Sequence, residues 1–169
     1  YFKKNKFKNW NIELVDTGLN SLTGTRLLKL KSYLNKEKLF FLTYGDGVSN
    51  ININKLLSFH KRKNKVATLT AVKPPARFGE LFLNNDIVKK FDEKNQINTG
   101  WINGGFFVFS KNIFKFISKK CMLEREPIKK LTKKNELLAF KHNGFWQCMD
   151  TLRDKELLCK LWKLKKNRW

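Results

Sequence analysis

The chain has 169 residues, which fits one domain or at most two. It carries 36 Lys and Arg against 14 Asp and Glu, a formal net charge of +22, with 41% hydrophobic and 14% aromatic residues. That composition builds a core and excludes a disordered basic tail, no apolar run approaches the ~18–20 residues of a membrane span, and the few Gly and Pro exclude collagen-like or low-complexity chains.

Taken in order, the segments alternate between strand-like and helix-like patterns, the mark of an α/β fold. The start at Tyr1 is basic through Lys3, Lys4, Lys6 and Lys8, lacks the apolar stretch of a signal peptide, and reads as a fragment whose beginning is missing. Trp10 to Val15 alternates as a strand and ends in a turn at Asp16-Thr17-Gly18. A polar loop over Asn20–Gly24 follows, and Leu27, Leu30 and Leu34 then recur at helical spacing. Leu39–Tyr44 is a continuous apolar run, expected as a strand buried on both faces. It stops at Gly45-Asp46-Gly47. Ile53, Leu56, Leu57 and His60 predict a helix capped by Ser49 or Asn50.

Val66–Val72 is a second buried strand, ended by Pro74 and Pro75. Phe78–Leu83 and Ile87–Phe91 form a hairpin around Asn84-Asn85-Asp86. Ile102–Phe109 is a strand with two glycines inside it. Helices are expected over Asn112–Ser118 and Glu126–Lys134, and a short strand over Leu137–Lys141. From Thr151 a closing helix begins, with Thr151 and Asp154 at capping-box spacing.

Cys121, Cys148 and Cys159 are odd in number and far apart, which argues against a disulfide or zinc framework and for a reducing cytosol. With only His60 and His142, a His-rich metal site is excluded. The Lys residues spread from Lys3 to Lys166 rather than gathering in one arm. The charge therefore reads as solvated basic surface ahead of a dedicated nucleic-acid face.

Ligands of open α/β sheets collect at the carboxyl ends of strands. Gly45-Asp46-Gly47 lies at such an end. It either approaches a phosphate and holds a divalent ion, or is a turn using Asp and Gly for positive φ. Asp150 offers a second carboxylate if it meets Asp46, and otherwise serves as a helix N-cap. Magnesium accepts one or two carboxylates and completes its shell with water and phosphate. Lys94, after Glu93, and Arg26, after Thr23-Gly24-Thr25, are cations placed to meet a phosphate, or two exposed cations among many. Asn103-Gly104-Gly105 inside a strand marks a bulge or a close ligand. Cys148 beside Asp150 reads as a small buried thiol.

Together these residues resemble the glucose-1-phosphate cytidylyltransferase family. The resemblance rests on Leu14-Val15-Asp16-Thr17-Gly18, Thr23-Gly24-Thr25-Arg26-Leu27, Phe41-Leu42-Thr43-Tyr44-Gly45-Asp46-Gly47-Val48 and Arg77-Phe78-Gly79. It continues through Ile102-Asn103-Gly104-Gly105-Phe106-Phe107-Val108 and Gly144-Phe145-Trp146-Gln147 to Asp150-Thr151-Leu152-Arg153-Asp154-Lys155. These follow the family's order over nearly the whole chain.

The resemblance implies a Rossmann-like nucleotidyltransferase fold, a mixed central sheet flanked by helices, here lacking its first strands. Residues 1–169 would be the C-terminal two-thirds of a single domain. It implies the reaction of CTP with α-D-glucose 1-phosphate to give CDP-glucose and pyrophosphate, for O-antigen sugars of lipopolysaccharide. It also implies Mg²⁺, a cytoplasmic setting and a homo-oligomer when complete. On this basis Asp46 and Asp150 are the magnesium aspartates. Lys94 holds the sugar phosphate, with Glu93 near sugar hydroxyls. Arg26 and the Ser21–Gly24 loop, with Ser21, Thr23 and Gly24, line the nucleotide site, Asn103 and Gly104 the sugar side, and Gly45 the substrate.

Asp46, Lys94 and Arg26 would carry the catalysis. The family's opening strand, its glycine-rich phosphate loop and the lysine in a Pro-Lys-Pro setting have no counterpart here, a segment of ~80–90 residues. The family's Glu-Lys-Pro is Glu93-Lys94-Asn95. The expectation is that these 169 residues alone do not turn over. The alternatives are a nucleotidyltransferase using UTP or dTTP, and a non-catalytic basic remnant that binds nucleotide or nucleic acid.

Overall fold

A computed structural model of the chain describes residues 11–75, 80–92, 100–167 and 169. The helices are α1 (Thr23–Lys29), α2 (Lys31–Leu34), α3 (Ile53–Lys63), α4 (Glu126–Lys133) and α5 (Leu152–Lys163). The strands are β1 (Leu39–Thr43), β2 (Gly47–Ser49), β3 (Ala67–Val72), β4 (Glu80–Asn84), β5 (Ile87–Asp92), β6 (Ile102–Ser110), β7 (Leu137–His142) and β8 (Trp146–Cys148).

The central sheet has the order β1-β6-β3-β7. β6 runs antiparallel to both β1 and β3, while β3 and β7 are parallel. The carboxyl ends of β1, β3 and β7 therefore share one edge with the start of β6. Two ribbons stand apart from this sheet, β2 with β8 and β4 with β5. The β4–β5 turn places Asn85 at φ 50°, a left-handed position that Asn tolerates.

Strand periodicity explains the core. Phe107 and Phe109 of β6 point to one face, where they meet Leu27 of α1, Leu131 of α4, and Ile113 and Phe114 of a 3₁₀ turn at Lys111–Lys115. Val108 points to the other, against Leu56 of α3. Each of these residues is buried, and such a Phe contributes roughly 1.5–3 kcal/mol by leaving water.

Four local expectations are corrected. The described part of Trp10–Val15, from Asn11 onward, pairs with no strand among the described residues. Its turn does form, with the Gly18 N–H donating to Asp16 Oδ1 at 2.7 Å. α3 is capped by Asn52, whose Oδ1 accepts from Lys55 N at 2.9 Å, and not by Ser49 or Asn50. The Asn112–Ser118 stretch shortens to the 3₁₀ turn. β1 is not buried on both faces. Phe40 is in the core, but Phe41 is 48% exposed, because α3 packs over β3, β6 and β7 and leaves β1 uncovered on that side.

The closing helix follows its sequence signal. Thr151 Oγ1 accepts from Asp154 N at 3.2 Å, and Asp154 Oδ2 accepts from Thr151 N at 3.1 Å. Asp154 Oδ1 also accepts from Gln147 Nε2 at 3.0 Å, which fastens α5 to β8.

Candidate active site

A cavity of about 370 Å³ opens at the carboxyl edge of the sheet. Asp46, Asn103, Gly104 and Asp150 line it, together with Tyr44 and Trp146. Asp46 leaves β1 and Asp150 leaves β8. The two are brought together by the β2–β8 ladder, in which Gly47 pairs with Cys148 and Ser49 with Trp146. Beyond the last rung, Met149 N–H donates to the Asp46 carbonyl at 2.9 Å. Asp150 is not the helix cap, a task that falls to Thr151. It stands on the cavity rim just before the cap.

Gly45-Asp46-Gly47 does not use positive φ, which among the described glycines is confined to Gly18 and Gly105. A Cβ at Gly45 would meet nothing within 4 Å, so open space adjoins the turn. Gly105, at φ +77°, is where β6 bulges away from β3, whose register shifts between Leu69 and Ala71. The bulge was one of two readings of this glycine pair, and it carries Asn103 and Gly104 into the cavity. At Gly104 a Cβ would press Val72 Cγ1 at 2.8 Å and the Thr70 carbonyl at 3.1 Å. The Gly104 carbonyl accepts from Trp146 Nε1 at 2.8 Å, which sets the indole as a wall.

A chain of hydrogen bonds backs the cavity. Asn103 Nδ2 donates to Tyr44 Oη at 3.3 Å, and Tyr44 Oη donates to Glu124 Oε1 at 2.6 Å. Glu124 Oε2 accepts from Thr23 Oγ1 at 2.7 Å, and Thr23 Oγ1 accepts from Leu123 N at 2.9 Å. Burial, and then the Glu124 carboxylate, push the Tyr44 phenol well above its ordinary pKa. Burial would raise the Glu124 carboxyl, but the bonds from Tyr44 and Thr23 outweigh it and hold it below its usual value. Tyr44 is therefore protonated and Glu124 ionised at neutral pH.

The other expected residues are placed as follows. Ser21, Thr23, Gly24 and Arg26 surround the start of α1 and do not line this cavity. Arg26 donates to Thr17 Oγ1 at 2.7 Å and to the Leu19 carbonyl at 2.9 Å, bracing the preceding turn. Ser21 Oγ donates to the Thr17 carbonyl. Gly24 lies so close to Cys121 that a Cβ would meet its Sγ at 2.6 Å. Glu93 and Lys94 lie outside the described residues, as does Arg77-Phe78-Gly79. Cys148 is not fully buried and lines the cavity.

Sequence reasoning missed Tyr44 and Glu124 as a pair, since neither carries a local signal. It also missed Trp101 as a cation-binding surface. The ring centroid lies 5.8 Å from Lys73 Nζ and 5.5 Å from Lys141 Nζ, one residue before the cavity residue Ile102.

Among the described lining residues there are two carboxylates and no Lys or Arg. Two hard oxygen donors beside open space suit a magnesium ion, whose other positions go to water and phosphate. A phosphate ligand entering here needs such a cation to offset the two negative charges. Among the described residues no group of three or more His, Cys, Asp or Glu side chains is arranged for a metal, and a magnesium site of this kind does not require one.

A mixed sheet flanked by helices, with its cavity at the carboxyl strand ends, is the Rossmann-like nucleotidyltransferase fold. The chain belongs to the nucleotidyl transferase family, whose model matches residues 4–153. It is 45% identical over 161 residues to the glucose-1-phosphate cytidylyltransferase of Salmonella typhimurium, a match covering 95% of this chain and 63% of that one. The chain thus spans less than two-thirds of the length of the first curated relatives it matches. HddC from Yersinia pseudotuberculosis shares the fold with a TM-score of 0.64 at 21% identity, over 86% of this chain and 64% of the other. The inositol-1-phosphate CTP transferase from T. maritima does so with a TM-score of 0.56 at 18% identity, over 86% and 61%. Among the described residues no helix is long and apolar enough to cross a membrane.

Proposed function

We propose that the whole protein is a sugar-1-phosphate nucleotidyltransferase that transfers a cytidylyl group from CTP to α-D-glucose 1-phosphate. The products are CDP-glucose and pyrophosphate, and the product feeds lipopolysaccharide O-antigen sugars. The observation that carries this reading is the 45% identity to a glucose-1-phosphate cytidylyltransferase along 95% of the chain. The two cavity-lining aspartates agree with it.

In the proposed reaction a phosphate oxygen of glucose 1-phosphate attacks the α-phosphorus of CTP in line. The bond from that phosphorus to the bridging oxygen breaks, and pyrophosphate leaves with the electron pair. No covalent enzyme intermediate is required, so the protein supplies positioning and charge neutralisation. Asp46 and Asp150 would hold magnesium, which when bound offsets negative charge on the phosphates. Asn103 and Gly104 would receive the sugar, and Gly45 keeps the turn beside Asp46 open. Lys94 and Glu93 would meet the sugar phosphate and hydroxyls. Ser21, Thr23, Gly24 and Arg26 would line the nucleotide side, apart from the described cavity. A cytoplasmic homo-oligomer is part of the same proposal.

The test is pyrophosphate release by the full-length protein with glucose 1-phosphate and competing CTP, UTP, dTTP and GTP. Preference for CTP is expected. Preference for UTP or dTTP would overturn the choice of base. Silence with every nucleotide and with mannose and galactose 1-phosphates would overturn the enzyme reading.

A further inference from the structure

We propose that Glu124 is a positioning residue of the cavity, acting through Tyr44 to fix which way round the Asn103 amide faces a bound sugar. The proposal rests on the nucleotidyltransferase reading and names a residue outside the lining of the site.

The argument follows hydrogen-bond polarity. A carboxylate only accepts, so Tyr44 Oη, 2.6 Å from Glu124 Oε1, must give its single proton to Glu124. The phenol oxygen is then an acceptor toward every other neighbour. Its neighbour on the cavity side, at 3.3 Å, is therefore the Asn103 NH₂ and not the Asn103 carbonyl. The other end of the amide agrees, since Asn103 Oδ1 accepts from Gly105 N–H at 3.0 Å. Had the amide been reversed, two donors would face each other at Gly105, and two acceptors at Tyr44.

Glu124 is itself fixed. Its second oxygen accepts from Thr23 Oγ1 at 2.7 Å, and that hydroxyl is held from behind by Leu123 N–H at 2.9 Å. The Tyr44 ring is fixed too. It lies beside Phe107 with centroids 5.6 Å apart and fills the space over Gly105, where a Cβ would meet Tyr44 Cδ2 at 2.7 Å. An ionised Glu124 and a protonated Tyr44 keep this polarity throughout the neutral pH range.

A carboxamide has two donor hydrogens and two acceptor lone pairs. Tyr44 and Gly105 use one of each. Asn103 keeps one N–H and one lone pair for the cavity, a complementary pair for one sugar hydroxyl that accepts and its neighbour that donates. A vicinal diol is the chemical group this matches. A phosphate, which offers acceptors only when fully ionised, does not use both.

The experiment uses the full-length protein and three variants, Tyr44→Phe, Glu124→Gln and Glu124→Leu. Steady-state kinetics are measured with CTP and glucose 1-phosphate varied in turn. Thermal melting and the side-chain amide NMR signals of Asn103 are recorded on the same samples without substrate. Tyr44→Phe keeps the ring and removes only the hydroxyl. We expect its KM for glucose 1-phosphate to rise about tenfold, the size of one lost hydrogen bond, with KM for CTP nearly unchanged. Glu124→Gln should reproduce that selective rise. A fourth protein carrying both Tyr44→Phe and Glu124→Gln should be no worse than either single variant, since both break one relay. The Asn103 amide protons should exchange faster in all three variants.

A rise in both KM values in step with a lowered melting point would mark a purely structural role and overturn the proposal. So would unchanged Asn103 amide exchange in Tyr44→Phe. If the wild-type protein releases no pyrophosphate with any sugar phosphate, the enzyme reading fails and the sugar-side role falls with it. The amide signals then show separately whether the relay itself exists.

Discussion

His60 Nδ1 lies 2.8 Å from Thr68 Oγ1, a buried hydrogen bond that fastens α3 to β3 under the sheet. His60 is only 1% exposed, and burial pushes its pKa below the ordinary 6.5. In the unfolded chain the imidazole takes up its proton as pH falls through that ordinary value. The folded chain resists until lower pH. The unfolded state therefore binds more protons in this window, and stability falls as pH is lowered below the ordinary value. We expect urea unfolding to show a clear loss between about pH 7 and about pH 5, and the slope to flatten in His60→Gln.

The second prediction concerns the two aspartates. Asp46→Asn and Asp150→Asn in the full-length protein should each lower turnover on the order of 10²-fold or more, if both hold a catalytic cation. Both variants should stay folded, because the β2–β8 ladder that joins these segments is made by the backbone. Chelation of divalent ions should abolish activity, and added magnesium should restore it. Retained turnover in both variants would remove them from the chemistry.

A third test lies at Gly24. A methyl group there would meet Cys121 Sγ at 2.6 Å, the Cys121 carbonyl at 2.9 Å and Leu123 N at 3.2 Å. Two of these are backbone and do not swing aside. Gly24→Ala should destabilise the protein by about 1–3 kcal/mol in denaturant titrations. Cys121→Ala should rescue only part of the loss, since the carbonyl clash remains.

The start of α5 supplies a fourth. Thr151→Val should cost about 1 kcal/mol as a lost cap. Asp154→Ala should cost more, because its carboxylate also accepts from Gln147 Nε2 and from Thr151 Oγ1 at 2.8 Å. Differential scanning calorimetry of the two variants checks the order.

Features set by short-range chemistry were legible in the sequence. The Asn-rich hairpin turn, the buried run of β3 and the capping box of α5 all appear where local pattern places them, whereas the Leu27, Leu30 and Leu34 stripe is divided between α1 and α2 by a break at Leu30. Features set by pairing were not. β2 and β8 are three residues each, too short for an alternating pattern to register. The stretch beyond Trp10 alternates like a strand but pairs with none among the described residues. β1 has the apolar run of a fully covered strand, yet a run reports hydrophobicity and not which helices lie over it.

The same division holds for the site. Asp46 was visible from its flanking glycines, and Asn103 from the glycine pair after it. That Asp46 and Asp150 meet depends on the β2–β8 ladder, and that Tyr44 meets Glu124 depends on the segment before α4 returning to Thr23 at the start of α1. Neither leaves a mark at fixed spacing. Arg26 is visible as a cation after a glycine loop, while its bonds to Thr17 and Leu19 follow no fixed spacing.

The β2–β8 ribbon has a consequence for the order of folding. Its few rungs close a loop that includes most of the described chain, and closing so long a loop carries an entropic cost that local contacts do not. α3, the β4–β5 hairpin and α4 can form from neighbours in sequence, whereas the two carboxylates face one cavity only after β8 has returned to β2. A ligand that requires both therefore senses completion of the whole topology, and its binding should appear in refolding as one of the last events.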